Sequence, residues 1–203
     1  MRCNRPARAA AAAAFAAALP PLYWVGAAAG ADIEAGRQKA LVCFACHGSA
    51  GNSANPVVPS LAGQPAQFVS MELFQFREGN RKDPQMTPLA ANLSNEDMND
   101  LAAYFSAQKQ TPSGHRTEPA NAAIAPKLAE QFHCVQCHGP ALLGQQHIPR
   151  LAGQQFEYLK SQLRGFKAQT RADLDGNMTS AAQALTEKDI DVLVDYVAGL
   201  GTP

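Results

Sequence analysis

The chain has 203 residues, and its 17 basic and 17 acidic residues cancel to a formal net charge of zero. No block of like charge favours nucleic-acid binding, and no apolar stretch after Ala31 is long enough to span a bilayer. The length suffices for two small domains, which usually need stabilisation by a covalent cross-link or a metal because their cores are small.

The first 31 residues have the pattern of a secretory signal peptide. Arg2, Arg5 and Arg8 form a positive segment, an apolar run follows, and Ala29-Gly30-Ala31 is typical of a small-residue cleavage site. We predict cleavage near Ala31 and export to the periplasm; the alternative is that the leader is retained as a membrane anchor. Cleavage would remove three basic residues and no acidic one, so the mature chain would be mildly acidic.

A CxxCH motif follows the leader and occurs again in the second half of the chain. The two copies are Cys43-Phe44-Ala45-Cys46-His47 and Cys134-Val135-Gln136-Cys137-His138. Two thiols three residues apart on a helical turn can bond the two vinyl groups of one haem, and the adjacent histidine can bind the iron. A single copy could instead be a redox dithiol or half of a zinc site. Two copies in an exported chain predict two covalently bound haem c groups.

The landmarks after each motif recur in the same order about 90 residues apart, so the chain contains an internal repeat. A PxLAGQ segment begins at Pro59 and again at Pro149, and a helix-capping signature begins at Ser94 and again at Thr186. A helix with a one-sided apolar stripe lies between these landmarks in each half. Strand patterns are absent, so the prediction is an all-α fold of two tandem domains.

The predicted boundaries follow this repeat. They are a signal peptide over residues 1–31, an N-terminal domain over 32–108, a linker over 109–124 and a C-terminal domain over 125–203. Pro126 is well placed to begin the first helix of the second domain, because the first turn of a helix does not need the missing N–H.

An iron bound by one histidine has a sixth position, whose occupant separates electron carriers from catalysts. Met86 in the first half corresponds to Met178 in the second. We therefore predict these methionines as axial ligands of the two irons, opposite His47 and His138.

Other methionines and histidines of the mature chain could compete for that position. Met71 and Met98 fall within helical stripes, which is typical of core packing. His115, His133 and His147 have no counterparts in the other half, so we interpret them as surface residues. His147 is the strongest alternative ligand.

Pro59 and Pro149 follow the motif histidines by 12 and 11 residues. This spacing resembles that of the class I c-type cytochromes, in which a proline carbonyl accepts a hydrogen bond from the iron-binding histidine. The resemblance implies that role for both prolines. The simpler interpretation is that each proline ends a loop.

The mature chain as a whole resembles the di-haem cytochrome c4 family, through CHG, PxLAGQ, an axial methionine and a capped helix that bears Tyr104 or Tyr196. The resemblance implies two class I domains related by an approximate twofold axis, His/Met ligation at both irons and electron delivery towards terminal oxidases. One departure from the family pattern is Lys167, which occupies the position in the second half that is equivalent to Arg77 in the first half. Lysine cannot copy the bidentate contact of arginine with a haem propionate.

Four basic residues fall at helical spacing in the second half: Lys160, Arg164, Lys167 and Arg171. We interpret them as a solvated basic face. The alternative is a docking patch for an acidic partner or for the propionates.

These patterns together predict an electron-transfer protein rather than an enzyme. The expected partners are redox proteins, such as a quinol-oxidising complex, a terminal oxidase or a dehydrogenase, and peripheral membrane association is a further option. Two alternatives stay open. One is a di-haem peroxidase, which needs an iron with an open position, and the other is the cytochrome subunit of a larger dehydrogenase.

Overall fold

The computed structural model describes residue 1 and residues 30–201. Over that part the chain is helical, with no strand and one isolated bridge between Gln145 and Ile148. The predicted all-α class is therefore confirmed for the described residues. Apart from its two ends, the predicted signal peptide lies outside them.

The helices follow the internal repeat. In the first half they are α1 (Ile33–Lys39), α2 (Phe44–His47), α3 (Ala66–Arg77), α4 (Met86–Ala90) and α5 (Asn95–Ser106). In the second half they are α6 (Pro119–Gln131), α7 (Cys134–His138), α8 (Phe156–Lys167), α9 (Asn177–Gln183) and α10 (Glu187–Gly199). The same order of elements in both halves agrees with the repeat.

Both predicted capping signatures form capping boxes, which confirms the starts of α5 and α10. Ser94 Oγ accepts a hydrogen bond from Asp97 N at 3.0 Å, and Asp97 Oδ2 accepts from Ser94 N at 2.9 Å. Thr186 and Asp189 make the same pair of bonds at 3.1 and 2.8 Å. Each box satisfies two backbone N–H groups that would otherwise lack a partner.

The start of α6 corrects the sequence-based expectation. The helix begins at Pro119 and not at Pro126, which lies inside it. Pro119 occupies the first turn, where its missing N–H costs nothing, and the alanines that follow favour a helix. Residues 119–124 of the predicted linker are consequently helical, whereas the domain boundaries themselves remain our proposal.

Each half has its own apolar core. In the first half the buried residues that form this core are Ala40, Val69, Leu101, Ala102, Tyr104 and Phe105. In the second half they are Ala129, Leu142, Ala152, Leu159, Leu185, Ile190, Leu193, Val194, Val197 and Ala198. Gly36 lets α1 cross α5 closely, since a Cβ at that position would lie 2.1 Å from the carbonyl oxygen of Asp100.

The two halves meet through their PxLAGQ segments, and the contacts are reciprocal. Gln64 Nε2 donates to the Arg150 carbonyl at 2.9 Å, and Gln64 Oε1 accepts from Arg150 N at 3.0 Å. Gln154 makes the same two bonds with the backbone of Ser60, at 2.8 and 2.7 Å. Ser60 and Arg150 occupy equivalent positions in the repeat, so the two halves are related by an approximate twofold axis, as an isologous contact requires.

Backbone hydrogen bonds repeat this symmetry at the edge of the contact. Phe68 N donates to the Gln146 carbonyl at 3.1 Å, and Tyr158 N donates to the Pro56 carbonyl at 3.0 Å. Phe68 and Tyr158 are again equivalent positions. Hydrogen bonds to backbone groups thus join the two halves on both sides of the twofold axis.

Candidate haem sites

Each CxxCH motif coincides with one short helix that ends at its histidine, and Cys43 is the N-cap of the first of these helices. His47 and His138 are buried, whereas Cys46 and Cys137 are exposed and carry free thiols. Glycine follows each histidine at positive φ, and a Cβ on Gly48 would lie 2.0 Å from the Asn52 carbonyl oxygen. The glycine thus lets the chain turn sharply and leaves the histidine as the last helical residue.

The first cysteine of each motif is half-buried. Burial raises the pKa of the Cys43 and Cys134 thiols, so both are protonated at neutral pH. Neither cysteine is part of a disulfide. All four thiols are therefore free to form thioether bonds.

The two motif histidines have the same environment. His47 Nδ1 lies 2.8 Å from the Pro59 carbonyl oxygen, and His138 Nδ1 lies 2.8 Å from that of Pro149. Burial lowers the pKa of both imidazoles, although the proline carbonyls act in the opposite direction. A neutral ring that donates from Nδ1 leaves the lone pair on Nε2 available for a metal.

Met86 and Met178 lie at the starts of equivalent helices, and both are half-buried. Met86 N donates to Asp83 Oδ1 at 2.8 Å, and Met178 N donates to Asp173 Oδ2 at 2.7 Å. The sequence analysis missed these aspartates. Their separation of 90 residues, the same as that of the PxLAGQ segments, was the available signal.

Asp173 holds its segment through three hydrogen bonds. Besides Met178 N, it accepts from Thr179 N at 3.0 Å and from Thr179 Oγ1 at 2.6 Å. Although burial opposes ionisation, these bonds keep the pKa of Asp173 below its ordinary value. The ionised carboxylate therefore caps α9 and orients Met178.

The other histidines have polar partners of their own. His115 Nε2 lies 2.7 Å from Asp195 Oδ1, and its ring stacks on Phe156 at 4.7 Å. His133 is exposed, and its Nδ1 lies 2.9 Å from Gln136 Nε2. His147 is half-buried, with Nε2 3.9 Å from a carboxylate oxygen of Asp175.

The competing methionines are part of the packing. Met98 is buried in α5 with 2% of its surface exposed, and Met71 is half-buried in α3. Both positions agree with the helical stripes in which the sequence analysis placed them.

Acidic residues of α10 largely neutralise the basic face of α8. Lys160 pairs with Asp191 at 2.8 Å, and Arg164 pairs with Glu187 at 2.8 Å. Lys167 reaches only the Gln183 carbonyl, at 3.5 Å. For these three residues the arrangement favours a solvated face over a docking patch for an acidic partner. Arg171 does not belong to the predicted face, because it lies beyond the end of α8 and its side chain is largely buried.

Arg81 and Arg171, which are equivalent in the repeat, converge at the contact between the halves. Arg171 lies 3.4 Å from Glu72 Oε1 and donates to Gln162 Oε1 at 2.6 Å. Arg81 also binds both residues, with Arg81 Nη2 2.9 Å from Gln162 Oε1. Glu72 and Gln162 are themselves equivalent positions, so this cluster follows the twofold axis but carries a carboxylate on one side only.

The donors in each half suit a covalently attached haem. Two thiols on one helical turn, a neutral imidazole beside them and a thioether in the same half are the types of group that form the linkages and axial ligands of haem c. Within residues 30–201 no group of three or more His, Cys, Asp or Glu side chains is arranged to hold a metal ion. The residues therefore fit haem better than zinc.

No helix in the described part of the chain is both long enough and apolar enough to cross a membrane.

Comparisons with known proteins agree with this arrangement. The sequence model of the family described as Cytochrome c matches residues 33–109 and 122–201. The chain is 38% identical to cytochrome c4 of Pseudomonas aeruginosa, with coverage of 85% of this chain and 90% of the relative. It is 34% identical to the thiosulfate dehydrogenase electron acceptor of Stutzerimonas stutzeri strain A1501, with coverage of 80% of each chain.

A solved structure is also similar. The crystal structure of reduced recombinant cytochrome c4 from Pseudomonas stutzeri matches with a TM-score of 0.78 at 35% identity. The match covers 85% of this chain and 100% of that chain. The similarity thus includes both halves of the repeat.

Proposed function

Since the chain belongs to the di-haem cytochrome c4 family, we propose that it carries electrons one at a time between redox proteins of the periplasm. It is an electron-transfer protein with two covalently bound haem c groups. The single observation that carries the assignment of sites is the 2.8 Å contact from each motif histidine to its proline carbonyl, present in both halves.

We assign one set of haem-binding residues to each half. Cys43 and Cys46 would bind one haem and Cys134 and Cys137 the other. His47 with Met86 and His138 with Met178 would hold the two irons. When bound, haem c supplies reversible one-electron chemistry at the iron.

The protein's own residues set the conditions for that chemistry. The carbonyls of Pro59 and Pro149 fix the orientation of the imidazoles, and Asp83 and Asp173 fix the backbone of the methionines. A thioether favours the reduced iron and so raises the reduction potential. Two filled axial positions suit a carrier, because an iron that changes no ligand needs little reorganisation.

Two classes of partner are proposed. One route runs from a quinol-oxidising complex to a terminal oxidase, with the leader removed near Ala31 and the protein at most peripherally bound to the membrane. The other takes electrons from a dehydrogenase. The similarity to a thiosulfate dehydrogenase electron acceptor supports this second route.

The haem assignment is tested on the exported protein. We expect two haems per chain that acidified acetone does not extract, and an optical redox titration with two one-electron steps. Recovery of a single haem, or of zinc, would contradict the proposal.

Carbon monoxide separates a carrier from a di-haem peroxidase. We expect the reduced protein to bind carbon monoxide slowly or not at all and to show no peroxide-dependent oxidation of a small donor. The reason is that a methionine would occupy the sixth coordination position of each iron. Rapid binding at one haem per chain together with peroxide turnover would assign the protein to the peroxidases.

Kinetics with purified partners separate the two routes. Rapid reduction of the oxidised protein by a thiosulfate dehydrogenase and thiosulfate would assign it as a dehydrogenase acceptor. Rapid oxidation of the reduced protein by membranes that contain a terminal oxidase would support the respiratory route.

A further inference from the structure

Arg150 breaks the symmetry of the contact between the two halves. Its equivalent in the first half is Ser60, and the backbones of both residues are held by the same glutamine contact from the opposite half. The two positions therefore share one backbone environment and differ in their side chains. One carries a small neutral hydroxyl and the other a guanidinium.

The guanidinium of Arg150 is buried, and its hydrogen-bond partner among the protein groups is a neutral carbonyl. The residue is 5% exposed, and its Nη2 donates to the Ala62 carbonyl at 2.6 Å. Its Nε has no hydrogen-bond partner, and among residues 30–201 no carboxylate forms an ion pair with it. Burial lowers its pKa to about 10, so the side chain remains protonated at neutral pH.

The surrounding interface does not compensate for this charge. Arg81 and Arg171 share the single carboxylate of Glu72, because the equivalent position holds Gln162. Arg81 and Arg171 thus share one carboxylate, and that carboxylate does not pair with Arg150. A buried positive charge without a paired carboxylate costs free energy of folding.

The position of Arg150 indicates which groups its charge can affect. Arg150 directly follows Pro149, whose carbonyl holds the His138 ring, and its guanidinium lies against Ala62, three residues after Pro59. The charge therefore lies between the segments that anchor the two motif histidines. A reduced iron carries one positive charge fewer than an oxidised iron, so a nearby fixed cation favours the reduced state, especially where water is excluded.

We infer that the positive charge of Arg150 raises the reduction potentials of the two haem sites between which it lies. This inference rests on the proposed haem sites. It concerns the energetics of electron transfer and requires no contact between Arg150 and a partner protein.

The test compares two substitutions in the haem-loaded protein. Arg150→Met removes the charge but keeps most of the side-chain volume, whereas Arg150→Lys keeps the charge and loses the planar fork. After two haems per chain have been verified, optical redox titration should show at least one midpoint potential lowered in Arg150→Met and neither raised. Both potentials of Arg150→Lys should stay close to those of the wild type.

A merely structural role would give a different result. The two variants would then lose thermal stability to a similar extent, while their midpoint potentials would either stay unchanged or shift equally. Either outcome with both haems in place would overturn the inference and leave the proposed function intact. Loss of haem from the wild-type protein would instead contradict the proposed function.

Arg150→Gln provides a second test should Arg150→Met fail to acquire both haems. It removes the charge but keeps an amide N–H that can donate to the Ala62 carbonyl, so at least one midpoint potential should again fall. Unchanged or raised potentials with both haems in place would overturn the inference.

Discussion

At the scale of single residues, the two motif histidines have the same local environment. Each motif histidine ends a short helix, is buried, and faces a proline carbonyl through Nδ1. Burial favours a neutral ring, and the hydrogen bond made by Nδ1 leaves Nε2 available. The chemistry of each site therefore depends on the group opposite, which we predict to be Met86 or Met178.

Replacement of Met178 tests the ligand in the second half. Met178→Ala should open one iron and leave the other six-coordinate, because each methionine serves only its own half. The optical band of methionine-ligated ferric haem should fall by about half, as expected for two equal sites. Met71→Ala, in the middle of α3, is the matched control and should leave the band intact. An unchanged band in Met178→Ala would assign the ligand role to His147 or another group.

At the scale of elements, the start of α9 is held by a residue that precedes the helix. Asp173 accepts hydrogen bonds from the backbone of Met178 and Thr179, whereas Asp175 contacts the backbone and side chain of Asn177. The first contact bears directly on the methionine. The second lies in the same loop and offers a control.

Asp173→Ala should loosen Met178 without removing it. We expect the methionine band to weaken, and loss of the cap should cost about 0.5–2 kcal/mol of stability. Asp175→Ala should leave the band nearly unchanged. Absorption spectra and thermal melting of both variants decide the matter, and equal effects in the two would contradict a specific role for Asp173.

Packing of α1 on α5 includes a charged cluster. Lys39 Nζ lies 2.9 Å from Asp97 Oδ1 and 2.6 Å from Asp100 Oδ2, and Asp32 N donates to Asp100 Oδ1 at 2.8 Å. The hydrogen bond from Lys39 lowers the pKa of Asp97 to about 2, and it also lowers the pKa of Asp100. Both carboxylates thus bind protons less readily in the folded state than in the unfolded state.

This cluster predicts acid sensitivity of the α1–α5 contact. A carboxylate with a depressed folded-state pKa contributes stability above its unfolded pKa, and that contribution is lost as the pH falls through the folded value. The melting temperature should therefore drop between about pH 4 and pH 2. Lys39→Met should be less stable near neutral pH and should show a smaller drop over this range. A drop equal to that of the wild type would show that other groups control acid unfolding.

At the scale of the whole molecule, reciprocal glutamine contacts join the two halves. Gln64 and Gln154 each satisfy one N–H and one carbonyl in the opposite half, and both side chains are buried. A buried backbone group that loses its partner costs about 1–3 kcal/mol. The interface should therefore couple the unfolding of the two domains.

Replacement of either glutamine should weaken that coupling. Gln64→Ala and Gln154→Ala should each lower stability by about 1–3 kcal/mol and broaden or split the calorimetric transition. Gln108→Ala is the control, because Gln108 bonds to the Tyr104 carbonyl within its own half. The same calorimetric change in all three variants would argue against a specific coupling role.

The sequence by itself determined the features that depend on neighbouring residues. The CxxCH spacing, the capping boxes at Ser94 and Thr186 and the apolar stripes of the helices each involve residues within one or two helical turns, so periodicity and residue type were sufficient. The repeat then related the two methionines. The family resemblance indicated the contacts of Pro59 and Pro149.

Only the tertiary structure decided what depends on distant residues. It showed that α6 begins at Pro119 and that two aspartates accept hydrogen bonds from the backbone of the predicted methionine ligands. It also showed that Gln64 binds the backbone of Arg150, which lies 86 residues away in the sequence. No local pattern encodes such contacts, because they join residues that are far apart in the sequence. Burial also gives Arg150 its significance, since the charge of a guanidinium has little effect on its surroundings in water and a larger one in an interior of low dielectric constant.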